Sequence, residues 1–190
     1  VTVDRVVVGI TGASGIPIAV ATVEALAEHC EVITVVTDAA RSVMAHERGD
    51  REATMKHLEE LSAAVYGEDA VHAPIASGSV ETDGMVIVPA SMNTVAAVAT
   101  GRSDTLVSRA ADVTLKERRK LVVVPRETPL SELHLENLLK LARMDVEVVP
   151  PVLGFYFDPD EPEDFVDHVV GKILERFDLD HDRYDAWEPE

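Results

Sequence analysis

Five short apolar runs recur along the chain: Val3 to Ile10, Val32 to Val36, Met85 to Val88, Leu121 to Val124 and Val146 to Val149. They are rich in valine and isoleucine and alternate little with polar residues, the pattern of strands buried on both faces. A weaker run, Ala70 to Pro74, predicts a sixth strand. Between the runs lie helix-like stretches: Ile16 to His29, Ala39 to Glu47, Thr54 to Tyr66, Met92 to Thr100, Asp104 to Glu117 and Ser131 to Arg143. Strands alternating with helices predict βαβ units and a parallel sheet, the α/β class. A last helix, Pro162 to Phe177, follows Asp158, Asp160 and Glu161, whose charges suit a helix amino end.

Length then limits the organisation. A chain of 190 residues is one domain with at most a trailing arm, read here as a domain over 1–177 and an acidic tail over 178–190. A hydrophobic content of 46% excludes wholesale disorder. No apolar run approaches the ~20 residues of a membrane helix, and the first residues do not read as a signal peptide. The single cysteine, Cys30, allows no intrachain disulfide and suits a reducing cytoplasm. It reads as a small core residue rather than a nucleophile.

Charge sharpens the picture. The net charge is -18, with 17 basic and 35 acidic residues, which excludes general affinity for nucleic acid or anionic membrane. Only 5 of the bases are lysine. High acid with little lysine points to a surface adapted to concentrated salt, where screening removes self-repulsion; an ordinary acidic cytoplasmic protein is the alternative.

In open parallel sheets ligands sit beyond the carboxyl ends of the strands. Those ends carry Thr11-Gly12-Ala13-Ser14-Gly15, Thr37-Asp38, Pro89-Ala90-Ser91-Met92-Asn93-Thr94 and Pro125-Arg126-Glu127-Thr128-Pro129. The glycine turn lets the backbone approach a ligand and offers helix N–H groups to an anion, although it matches neither G-x-G-x-x-G nor a P-loop. Ser91, Asn93 and Thr94 suit helix capping or ligand binding. Arg109, Asp112 and Lys116 share a helical face in the densest basic segment, where Arg109 and Lys116 suggest anion contact. Glu127 beside Arg126 suggests proton transfer or a structural ion pair. The seven histidines show no ligand spacing, so no metal site is expected.

Four segments resemble the UbiX-type flavin prenyltransferases: Val8 to Gly15, Arg109 to Arg119, Val124 to Pro129, and Pro150 to Tyr156. The resemblance implies a Rossmann-like three-layer α/β/α sandwich with a mostly parallel sheet, and a homododecamer. It further implies FMN, dimethylallyl phosphate as prenyl donor, attachment of the allyl group to N5 and C6 of reduced FMN, and a UbiD-type decarboxylase receiving the product. Carried over by motif, Gly12, Ala13, Ser14, Thr37, Ser91, Met92, Asn93, Thr94 and Arg109 would hold FMN. Lys116, Arg126, Tyr156, Lys172 and Trp187 would meet the prenyl donor. Glu127, Ser14, Glu47 and Lys116 would carry the chemistry. Three departures stand out. The first helix opens Ile16-Pro17-Ile18 without the family's usual tyrosine and arginine. Asn93 resembles the signature of FMN-dependent cysteine decarboxylases, the alternative activity. Lys172 stands where an arginine is usual.

Overall fold

The computed structural model describes residues 3–184. Strands β1 (Arg5–Ile10), β2 (Glu31–Val36), β3 (Ala64–Gly67), β4 (Gly84–Ala90), β5 (Lys120–Pro125) and β6 (Glu147–Val148) form one sheet in the order β3-β2-β1-β4-β5-β6. Every strand pair is parallel. The apolar runs become strands because both sheet faces are covered. β1, β4 and β5 are buried along almost their whole length.

One face packs on α1 (Ile16–Ala27), α2 (Asp38–Glu47), α3 (Arg51–Leu61) and α7 (Pro162–Arg176) through Val8, Val20, Leu26, Met44, Leu58 and Ile173. The other packs on α4 (Met92–Ala99), α5 (Leu106–Lys116) and α6 (Glu132–Ala142) through Met85, Ile87, Leu106, Leu121 and Leu141. Each fully buried aliphatic side chain contributes about 1.5–3 kcal/mol. The result is the three-layer sandwich expected from the sequence.

The sixth strand is misplaced by the sequence pattern. It is β3, not 70–74, and the helix expected to run to Tyr66 stops at Leu61. Ser62 is already extended and Ala63 N–H donates to Val32 O, which starts the pairing with β2. Residues 70–73 form a turn that leads into a 3-10 turn at Pro74–Ala76.

Strand order reverses between β1 and its neighbours β2 and β4, so the crevice of a doubly wound sheet opens at the carboxyl ends of β1 and β4. Thr11 fixes that crevice. Its hydroxyl donates to Pro89 O at 2.7 Å and accepts from Ser91 N–H at 2.8 Å, tying the two strand ends together.

Candidate active site

A cavity of about 370 Å³ opens at this edge, walled by the β1–α1 turn (Gly12, Ala13, Ser14), by Ser42, Val43, His46 and Glu47 of α2, and by Arg126 after β5. Larger hollows of about 640 and 580 Å³ lie elsewhere. The first is lined by Asp167, Asp180 and Asp182, and its Arg183 is paired to Asp167 at 2.6 Å. The second is lined by Asp4, Glu31, Glu81 and Asp83, with Arg5 paired to Glu31 at 2.6 Å. Their acidic walls repel anions, and the strand-end cavity alone coincides with the topological crevice.

The turn is built by close packing. A Cβ on Gly12 would meet Ala39 Cβ at 2.3 Å, so α2 begins directly against this backbone. Gly15 adopts φ 118° and leaves α1 without a side-chain cap of its own. Glu47, at the end of α2, supplies one: its carboxylate accepts from Gly15 N–H at 3.0 Å and Ile16 N–H at 2.9 Å. Burial raises the Glu47 pKa, but the Ser14 hydroxyl bond, these two N–H groups and the Arg126 charge together hold it below the ordinary carboxylate range. The α1 N–H groups expected to receive a ligand anion therefore already hold a carboxylate. At the same sheet edge the α4 amino end is capped by Ser91, which accepts from Thr94 N–H at 3.3 Å.

Arg126 is the cation of the cavity. Its backbone N–H donates to Ala90 O at 3.1 Å, which holds the segment against β4. Its Nε is buried without a hydrogen-bond partner among the described residues. An unpaired buried guanidinium nitrogen is costly. The Arg126 charge, on the wall of a cavity lined more by apolar than by polar surface, fits an anionic ligand with an apolar part.

Of the residues expected to act, Gly12, Ala13, Ser14, Glu47 and Arg126 line one cavity. Thr37 caps α2, accepting from Ala40 N–H at 3.1 Å, and Ser91, Asn93 and Thr94 open α4 at the same sheet edge. The Met92 side chain packs into the core, so a ligand would meet its backbone. Asn93 accepts from Arg102 at 3.4 Å. The Glu127 carboxylate accepts from Thr128 N–H at 3.0 Å rather than pairing with Arg126. Ser42, Val43 and His46 are cavity residues that sequence reasoning missed. Their recurrence with Glu47 at one- and four-residue spacing on a helix following Thr37 was the available signal.

Other expected residues do not line this cavity within this chain. Arg109 binds Asp112 at 2.9 Å and Ala76 O at 3.0 Å. Lys116 pairs with Glu117 at the end of α5, which leads directly into the start of β5. It therefore sits at the amino edge of the sheet, roughly one strand length (~20 Å) from Arg126. Tyr156 and Lys172 belong to a separate aromatic cluster near α7. Trp187 lies outside the described residues.

The cysteine reads as the sequence implied. Cys30 is half-buried, its thiol donates to Leu26 O at 3.4 Å, and burial first, then Asp83, pushes its pKa up to about 11.

A family model described as Flavoprotein matches residues 2–177. A probable UbiX-like flavin prenyltransferase of Streptomyces sp. (strain D7) is 50% identical over 177 residues, covering 92% of this chain and 87% of its own. The flavin prenyltransferase LpdB of Lactiplantibacillus plantarum is 48% identical over 186 residues, covering 97% and 98%. The chain belongs to the UbiX-like flavin prenyltransferase family.

Solved structures agree with membership of the UbiX-like family. A dodecameric FMN-dependent UbiX-like decarboxylase from Escherichia coli O157:H7 superposes with TM-score 0.93 at 42% identity, covering 97% of this chain and 100% of that one. AnUbiX (PadA1) in complex with FMN and dimethylallyl pyrophosphate gives TM-score 0.93 at 39% identity, with 98% of each chain covered. The peptidyl-cysteine decarboxylase EpiD, at 18% identity and TM-score 0.65, shares the fold alone.

Proposed function

We propose that the protein is a flavin prenyltransferase. It transfers a dimethylallyl group from dimethylallyl phosphate to N5 and C6 of reduced FMN, without a metal. The carrying observation is Arg126: a cation with a buried, unpartnered Nε on the wall of a cavity that also holds the Ser14–Glu47 pair. A phosphate leaving group needs a preorganised cation as its charge grows; loss of carbon dioxide from a cysteine does not. Identity of 37–50% with flavin prenyltransferases over nearly the whole chain favours the same reading.

Reduced FMN, when bound, supplies the electron-rich N5 and C6. Gly12 and Ala13 wall the cavity that takes it, and Thr37, Ser91, Asn93, Thr94, the Met92 backbone and Arg109 hold it. Glu47, whose charge is committed to the α1 N–H groups, keeps the Ser14 hydroxyl oriented into the cavity. Arg126 receives the phosphate, and Glu127 takes the proton lost as the new ring closes.

Lys116, Tyr156, Lys172 and Trp187 complete the phosphate pocket in the assembled protein. Lys116 reaches a cavity from a neighbouring copy, because in its own chain it stands at the opposite sheet edge. Exposed apolar side chains support a homo-oligomer, a dodecamer in this reading: Leu133, Leu135 and Leu139 on α6, and Val152, Leu153 and Phe155 in the following loop. The product goes to a UbiD-type decarboxylase. The working form is a single domain over 1–177 with an acidic tail over 178–190, carrying a salt-adapted surface in the cytoplasm.

The test is to mix the anaerobically reduced FMN complex with dimethylallyl phosphate and weigh the extracted flavin. A mass gain of one five-carbon unit is expected. Glu127→Gln should keep FMN but slow product formation by roughly a hundredfold, and Arg126→Met should lose turnover. Unmodified flavin, with carbon dioxide released instead from a cysteine-terminated peptide, would favour the decarboxylase that Asn93 suggests.

A further inference from the structure

Away from the cavity, the densest polar cluster joins the loop after β6 to α7 and to the segment that follows it. His168 of α7 has its Nε2 2.6 Å from the Tyr156 hydroxyl oxygen. Its ring stacks on Phe157, with centroids 4.7 Å apart and planes 18° from parallel, and meets Tyr184 edge-on at 4.8 Å. The Tyr184 hydroxyl donates to Glu175, which also holds Lys172 at 3.2 Å. The Lys172 ammonium lies 4.7 Å over the Tyr184 ring. Tyr156 and Lys172 thus hang on one frame, and His168 is where the loop joins it.

The stack matters because it fixes the imidazole plane. Tilting the ring out of this plane would break its contact with Phe157, and the 2.6 Å contact with the Tyr156 oxygen favours the flip that places Nε2, not a carbon, at that edge. The groups facing the ring are Tyr156 from the loop, Tyr184 from beyond α7, and Lys172 and Glu175 from α7 itself. Burial, then the Lys172 charge, lowers the His168 pKa, with Glu175 opposing, which favours the neutral imidazole near pH 7. A neutral imidazole carries one N–H. Placed on Nε2, it donates to the Tyr156 oxygen and leaves the phenol hydrogen to point outward. Placed on Nδ1, it makes Nε2 an acceptor, consumes the phenol hydrogen and turns an oxygen lone pair toward any arriving phosphate. A phosphate dianion selects the first arrangement.

We propose that His168 is a positioning residue for the transfer reaction: it holds the Tyr156 hydroxyl as an outward donor to the phosphate of the prenyl substrate. The proposal rests on the reading of Tyr156 as a phosphate ligand, and its test separates the two.

The assembled full-length protein is loaded with reduced FMN and its prenyl transfer followed at varied dimethylallyl phosphate, for wild type, Tyr156→Phe, His168→Phe, His168→Gln and the Tyr156→Phe/His168→Phe pair. Phenylalanine at 168 keeps the ring stack on Phe157 and removes only the hydrogen bond. Loss of one oriented hydrogen bond to a charged ligand raises KM about tenfold. That increase is expected in Tyr156→Phe and in His168→Phe, with kcat and FMN affinity nearly unchanged. The double variant should be no worse than either single one. Glutamine, whose amide donates, should recover most of the loss. A wild-type KM in His168→Phe beside a raised KM in Tyr156→Phe overturns the inference and leaves the function intact. An unchanged KM in Tyr156→Phe removes Tyr156 from the phosphate site, and the inference with it. Additive losses in the double variant, or release of FMN by His168→Phe, also overturn it, because His168 would then act apart from Tyr156.

Discussion

Replacing Gly12 with alanine tests whether close packing of the β1–α1 turn on α2 sets the cavity. The added Cβ would lie 2.3 Å from Ala39 Cβ and 3.3 Å from the Ala39 backbone carbons. Carbon atoms rest at about 3.5–4.0 Å, so the start of α2 has to retreat by roughly 1–2 Å. Backbone strain plays no part, since the positive φ in this turn belongs to Gly15. Overpacking of this kind costs about 1–3 kcal/mol. The stiffer unfolded chain returns about 0.4–1 kcal/mol. A net loss near 1–2 kcal/mol lowers Tm by about 2–8 °C in a domain of this size. Because α2 carries Thr37 at its head and Glu47 at its tail, the same shift draws Glu47 away from Gly15 and Ile16, and FMN affinity falls with stability. The decisive companion is Gly12→Ala with Ala39→Gly, which deletes the methyl that the new one strikes. Glycine at the second position of α2 costs at most about 1 kcal/mol. Calorimetry and flavin titration should show both losses in the single variant and recovery of most of each in the double. A single variant with wild-type Tm and affinity, or a double variant as damaged as the single, would refute the packing argument.

Two further outcomes follow from charge. Glu47 has its folded pKa below its unfolded value, so its contribution is complete above the ordinary carboxylate range and is lost as pH falls through the depressed folded value. The carboxylate is largely open to solvent, which limits that contribution to about 1 kcal/mol or less; the urea-midpoint gap between wild type and Glu47→Gln should shrink as pH falls below the ordinary carboxylate range and through the depressed folded value, and a constant gap would contradict the assignment. Residues Asp158 to Glu190 hold 13 acids and 3 bases, so stability should rise from low to molar salt as the Debye length shrinks from ~30 Å to ~3 Å; a flat response would argue against a salt-adapted surface.

The sheet was legible because burial on both faces writes itself as continuous apolar runs. β3 escaped because an edge strand of four half-buried residues needs no such run. Its cue was local: Val65 and Tyr66 after a helix whose last fully buried residue is Leu58. The strand-end rule put Ser14, Arg126 and the Ser91–Thr94 stretch on one sheet edge, and they lie there, since in a parallel sheet the carboxyl edge is fixed by chain direction. The same rule places Lys116 away from them. A helix returning from the carboxyl edge ends at the amino edge, and Lys116 lies four residues before β5 begins. What no periodicity could supply is the partner of each charge. Glu47, which the family resemblance implies as a reactive acid, spends its lone pairs on the α1 amino end. Arg109 reads as an anion ligand but faces Asp112.

In the proposed function, that difference in commitment lets an acidic chain hold an anion. Glu47 and Arg126 share one cavity wall, and a simple count of charges there gives zero. The carboxylate, however, is turned onto two backbone N–H groups and the Ser14 hydroxyl, so its field is largely met by the positive end of α1. The guanidinium Nε meets nothing. Arg126 also acts on Glu47 through its charge, but its Nε keeps no hydrogen-bond partner among the described residues, inside a chain of net charge -18. Removing Glu47 would free the Gly15 and Ile16 N–H groups for an anion, so in the proposed function the acid helps to steer a phosphate toward Arg126 rather than the α1 amino end.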